Sequence, residues 1–172
     1  MGEPVAKDRI QGLVLAAAIF ILDQIVKYVV TGPIGLVVEG QSIELLPIFN
    51  LTLVHNYGVS LGMLTAESNA MRWGLVTMTG AISLFVAIWL WRETSRIDVL
   101  ALGLVLGGAV GNLLDRVRFG HVVDYADLHF GDFRPFLVIN VADAAITIGV
   151  LILLAHALLA RDRKPKAENE NA

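Results

Sequence analysis

Four stretches of this chain, about 10–30, 71–91, 97–116 and 138–160, are apolar for long enough to cross a bilayer, whose core takes about 20 helical residues. No other feature narrows the fold so far. In hydrocarbon each backbone polar group must be paired within the protein, so runs of this kind become helices. Trp73 to Trp91 is 19 residues without a charge. At 1.5 Å per residue it spans roughly 28 Å, close to the bilayer core of about 30 Å. Composition agrees, with 56% hydrophobic and 17% charged residues and a mean hydropathy of +0.68; a soluble domain has about 45–50% and 25%. The remaining segments, 31–70, 117–137 and a polar tail at 161–172, are too short for a separate soluble domain. The 172 residues therefore read as one membrane-embedded, mostly α domain. The net charge of −3 gives no basic footprint for nucleic acid, and the absence of cysteine excludes disulfides, thiolate metal sites and cysteine nucleophiles.

The first stretch resembles a signal peptide only at its start, where Lys7 and Arg9 precede apolar residues. Asp23 and Lys27 interrupt it, it is too long, and no small-residue cleavage site follows. Eight of the thirteen Lys and Arg lie in the amino tail, between the second and third spans (Arg92, Arg96) and in the carboxyl tail (Arg161, Arg163, Lys164, Lys166); residues 31–71 have none. The positive-inside rule then makes both termini cytoplasmic and 31–70 and 117–137 outer segments. Arg116, Arg118 and Arg134 run against that rule and point to a role in the folded site. Ser42 to Leu53 suits one or two short strands. Gly103, Gly107 and Gly111, with Gly108 beside them, make a small-residue face for close helix packing.

Ionisable groups inside a span are functional candidates by default, since each costs about 2.5–3.5 kcal/mol at mid-bilayer on insertion scales. Here they crowd the outer ends. Asp23 and Lys27 share a face of the first span and form either a simple ion pair or part of a site. Asn112 and Arg116 share a face of the third, with Asp115 between them; helix-to-helix glue is the plainer reading. Asn140 and Asp143 open the fourth. Asp143 has no basic neighbour one turn away and needs a partner or water. Asp124, in the preceding outer segment, is the acid most easily brought to it. Two carboxylates sharing a wet pocket can hold one proton between them, one acting as base and one as acid. His121, Asp124, Asp127 and His129 match no zinc spacing, no spacing supports a Ser60–Lys27 dyad, and His55 and His156 look incidental.

These residues also carry a resemblance. Asp23-Gln24 with Lys27, Val54-His55-Asn56-Tyr57-Gly58, the run Gly107-Gly108-Ala109-Val110-Gly111-Asn112-Leu113-Leu114-Asp115-Arg116, Val123-Asp124-Tyr125 and Asn140-Val141-Ala142-Asp143 together resemble bacterial lipoprotein signal peptidase, signal peptidase II, over nearly the whole chain. The pattern departs at Val59-Ser60-Leu61-Gly62 and at Ile139, on the apolar wall of the pocket. The resemblance implies four transmembrane helices with a small outer β-structure, and an aspartic endopeptidase of the bacterial inner membrane. It would cut diacylglyceryl-modified prolipoproteins just before the lipidated Cys. It makes Asp124 and Asp143 the catalytic pair, and Asp23, Lys27, Asn56, Gly108, Asn112, Arg116, Asn140 and Ala142 residues that line or brace the site. It implies no metal or other cofactor, a monomer among membrane lipids, and inhibition by globomycin-type peptides. Two other classes compete on the residues alone: a proton-coupled transporter, which should show repeats and midplane sites, and a structural membrane subunit with polar helix glue.

Overall fold

The computed structural model describes residues 3–58, 69–131, 133 and 137–162. Ser60 and the rest of 59–62, Arg134 and the tail from 163 lie outside the described residues. The elements in chain order are α1 (Glu3–Thr31), β1 (Ser42–Leu46), β2 (Phe49–Asn56), α2 (Asn69–Arg92), α3 (Arg96–Phe119), β3 (Val122–Leu128) and α4 (Val141–Asp162). All four helices are long and apolar enough to cross a membrane. Their limits differ from the apolar runs for local reasons. α1 starts earlier because its polar first turns, with Lys7 and Arg9, are also helical. α3 runs on past Arg116 to Phe119 and stops at Gly120, whose φ of 84° suits only the left-handed region and whose N–H bonds Arg116 O at 3.1 Å. α4 starts three residues later than the apolar run, because Asn140 caps it.

α3 is the hub. Of its apolar window 61% is buried inside the protein, against 17–22% for the other three. The glycines explain how it can be surrounded so closely. A Cβ on Gly103 would stand 2.5 Å from Gly12 O, and one on Gly107 2.5 Å from Ala16 O, so this stripe lets α1 lie directly on α3. Gly108 faces the other way, against Ala142 at the start of α4. Val86, Leu90, Val99, Leu102, Val105 and Leu106, with Ala16 of α1, form the apolar core of the bundle around α3. Large apolar side chains on α1, α2 and α4, such as Ile10, Val14, Phe85, Leu151 and Leu159, remain exposed, as a lipid-facing surface requires.

At one end of the bundle sits a three-stranded antiparallel sheet in the order β1-β2-β3. The pair β1–β2 matches the strand signal in Ser42–Leu53, but β3 lies in a segment that the sequence reads as loop. Its alternation is masked because residues 122–125 are all buried. Val123 N donates to the Asp115 carboxylate at 3.2 Å, which ties the strand to the end of α3. The sheet packs Leu51, Leu53, Val123 and Tyr125 against Val30 and Leu36. After β3 the chain returns, and Ile139 pairs with Ala126 through backbone hydrogen bonds at 2.8 and 3.1 Å. That bridge brings the first residue of the α4 cap beside Asp124.

Candidate functional site

Asn140, Val141, Ala142 and Asp143 form a reciprocal helix cap. Asn140 Oδ1 accepts from Asp143 N at 2.8 Å, and Asp143 Oδ2 accepts from Asn140 N at 3.4 Å. The four-residue motif is thus a local structural device before it is anything else. The amide of Asn140 also reaches outward, since its Nδ2 donates to Asp124 Oδ1 at 2.6 Å and to Asn112 Oδ1 at 3.2 Å. One side chain therefore joins the strand acid to the cap that holds the helix acid. Asn56, from the end of β2, donates to the other oxygen of Asp124 at 3.0 Å. Asn112, from α3, donates to Asp143 Oδ1 at 2.8 Å. The partner that Asp143 needs is thus an amide and a helix N-terminus, where the helix dipole favours negative charge.

The acids differ in surroundings. Asp124 is 1% exposed, whereas Asp143 is only partly buried. Burial, and after it the nearby charge of Asp143, pushes the Asp124 carboxyl up to about 6; the hydrogen bonds from Asn56 and Asn140 pull the other way and are outweighed. Arg116 stands one turn beyond Asn112, beside Gly58, with its Nε buried and unpartnered among the described residues.

On the α1 side of α3 lies a second polar cluster. Lys27 Nζ contacts Asp23 at 2.8 Å and Asp115 at 2.7 Å, and donates to Asn112 Oδ1 at 3.2 Å. The ion pair read in the sequence is there, but it is a triad. Asp23 also accepts from Ala142 N at 3.0 Å, a second capping bond at the start of α4. Gln24 donates to both Asp23 and Asp115, at 3.1 and 3.0 Å. Lys27 is committed to this cluster, so it is not free to serve a serine as base.

All ten sequence-derived site residues gather at the sheet end of α3. Gly108 and Ala142 contribute by close packing rather than by polar groups. Asp115 and Gln24 are additions. A lysine buried in an apolar helix with one acid on its face asks for further acceptors, and Asp115, on the span opposite, was the available signal. Two histidines are less idle than they look. The His55 ring lies tilted against that of His121, centroids 4.0 Å apart; burial and then His55 itself hold His121 below the ordinary imidazole range, and His156 Nδ1 lies 2.8 Å from Asp98 near the opposite end. Neither touches the two acids. Among the described residues no group of three or more His, Asp or Glu side chains is placed to hold a metal ion.

Comparison with known proteins decides the class. A model of the family Signal peptidase (SPase) II matches residues 15–159. The chain belongs to the signal peptidase II family. A lipoprotein signal peptidase of Sphingopyxis alaskensis is 54% identical over 157 residues, covering 91% of this chain and 90% of that protein. One of Rhizorhabdus wittichii is 53% identical over 161 residues, covering 94% and 93%. Among solved structures, a bacterial membrane enzyme determined in meso at 2.3 Å superposes with a TM-score of 0.76 at 27% identity, covering 92% of this chain and 93% of that one. Signal peptidase II membership makes the chain a protease that removes signal peptides from lipoproteins, and displaces the transporter and structural-subunit readings. The matched stretch contains every residue of both polar clusters.

Proposed function

We propose that this protease is an aspartic endopeptidase in which Asp124 and Asp143 activate a water. Its substrate is a prolipoprotein already carrying a diacylglyceryl group on Cys, cut at the bond just before that residue. The observation that carries the reading is the Asn140 bridge: its side chain donates to the Asp124 carboxylate and accepts from the backbone N–H of Asp143, while its own backbone N–H donates to the Asp143 carboxylate, so one residue ties both acids without neutralising either. Asp143, in the cap, is the base that takes a proton from water as its oxygen attacks the scissile carbonyl. Asp124, the buried acid, gives its proton to the carbonyl oxygen, so the tetrahedral intermediate is a neutral diol. Collapse reverses the roles: Asp143 delivers its proton to the leaving nitrogen and a diol hydroxyl returns one to Asp124. The products are a free carboxyl on the signal peptide and a free amine on the lipidated Cys. Asn112 holds Asp143 in place and Arg116 supplies positive charge beside the pair. Neither metal nor cofactor enters this scheme.

The basic residues at 7, 9, 92 and 96 and in the tail favour an inner-membrane enzyme with cytoplasmic termini and the sheet end outside. An acylated signal peptide presents its cleavage site at that surface. The enzyme works as a monomer, and globomycin-type peptides block the acid pair. The test is purified protein with a synthetic diacylated prolipoprotein peptide and its unacylated twin, followed by mass spectrometry. Cleavage before the lipidated Cys, dependent on the acyl group and abolished by globomycin, is the expected result. Equal cleavage of the unacylated peptide, or loss of cleavage with EDTA, contradicts it.

A further inference from the structure

Arg72 lies in the first turn of α2, outside both polar clusters. Its Nε donates to Arg116 O at 3.0 Å and its Nη2 donates to Val117 O, while the guanidinium stands 5.5 Å over the Trp73 ring. The last four carbonyls of a helix lack partners in their own helix. Here the Gly120 N–H takes the Arg116 carbonyl from one side and Arg72 takes it, with its neighbour, from another. A cation at this end also matches the negative pole of α3. The planar fork fixes direction as well as distance, which a lysine could not do. Arg72 thus grips the backbone of the residue whose side chain faces the acid pair.

That grip matters because, among the described residues, no hydrogen bond or ion pair holds the Arg116 guanidinium. Its Nε is buried with no partner among the described residues. Its charge acts on Asp143, Asp124 and Asp115 across space. The position of the guanidinium is therefore set by where the last turn of α3 lies. We propose that Arg72 is a positioning residue for hydrolysis: its fork on the carbonyls of Arg116 and Val117 fixes the end of α3 and so places the Arg116 charge beside Asp143 and Asp124. This deepens the aspartic reading and rests on it for the role of Arg116.

The experiment is a double-mutant cycle between positions 72 and 116, read as kcat, KM and melting temperature on the diacylated peptide. Small misplacements of a site can cost up to about a hundredfold in rate. Arg72→Ala should lower kcat by about ten- to a hundredfold, with KM within about twofold. Arg72→Lys should recover little of it, because one ammonium cannot serve two carbonyls in a fixed direction. In an Arg116→Ala background Arg72→Ala should cost no further kcat, while its effect on melting temperature should persist. Arg72→Gln, with a donor but no charge, serves as the milder variant if the alanine protein does not fold; the same cycle applies to it. A full, independent loss of kcat in the Arg116→Ala background overturns the proposal, as does a lower melting temperature with unchanged kcat. If Asp124→Asn retained activity, the aspartic reading would fall, yet coupling between 72 and 116 would still be measured and would stand by itself.

Discussion

On the α1 side of α3 two buried acids meet one lysine; on the α4 side the side chains that hydrogen-bond two acids are, among the described residues, all amides, with the charge of Arg116 acting across space. Asp23 and Asp115 each have Lys27 Nζ within 2.8 Å. Asp124 and Asp143 have Asn56, Asn112 and Asn140. A cation at that distance ties each carboxylate by charge as well as by hydrogen bond, and removing it would leave buried acids without a partner charge. An amide donates a hydrogen bond but carries no charge, so burial and the neighbouring acid decide where the proton sits. The first arrangement locks α1, α3 and α4 together. On the proposed reading, the second leaves a pair of acids free to exchange protons. Asn112 links the two, accepting from Lys27 and donating to Asp143.

The largest effect expected is on turnover. Asp124→Asn and Asp143→Asn keep shape and one of the two hydrogen bonds each carboxylate accepts, and each should lower single-turnover cleavage by about 10⁴-fold or more, with the double variant little worse, since residues acting as a unit are far from additive. Both variants should fold, with a melting temperature lowered far less than by Lys27→Met. If either kept more than about a tenth of the wild-type rate, only about 1.4 kcal/mol of barrier would have been lost and the division between the clusters would fail.

Lys27→Met should show the opposite balance. It leaves two buried acids without a cation, a change that typically costs about 3–5 kcal/mol of stability. Adding Asp23→Asn and Asp115→Asn should restore much of the melting temperature. A Lys27→Met protein as stable as wild type would mean that the triad does not lock the helices together.

A third difference lies in pH. Asp124, held at about 6 against an ordinary 3.8, binds its proton more tightly folded than unfolded. Its contribution is therefore fully present below pH about 4 and is lost as pH rises through 6, by roughly 3 kcal/mol across that window. Asp124→Asn should remove that slope from thermal unfolding curves. The same group gives kcat/KM a falling limb above pH about 6, because the acid form is consumed. A smaller effect attends Asn140→Ala, which removes a cap worth about 1 kcal/mol together with the bridge; turnover should fall much more than stability.

Much of this was readable from the chain. The four spans, the outer strands of Ser42–Leu53 and the glycine face of α3 follow from run length, alternation and spacing, which are local properties. The acids stood out because charge in an apolar run is costly. What could not be read was set by partners distant in sequence. β3 is buried on both faces and so has no alternation, and the role of Asp115 depends on Lys27 of another helix. Asp143 seemed unpaired because its partners are an amide on α3 and its own cap. His156 seemed isolated because Asp98 lies on a different helix.

The most direct test of the central claim is an infrared titration of the Asp124 carboxyl, assigned by difference against Asp124→Asn, in wild-type protein and in Asp143→Asn. A midpoint near 6 is expected in the wild type, and a lower one once the neighbouring charge is removed. A wild-type midpoint at the ordinary carboxylate value near 4, or one indifferent to Asp143, would contradict it.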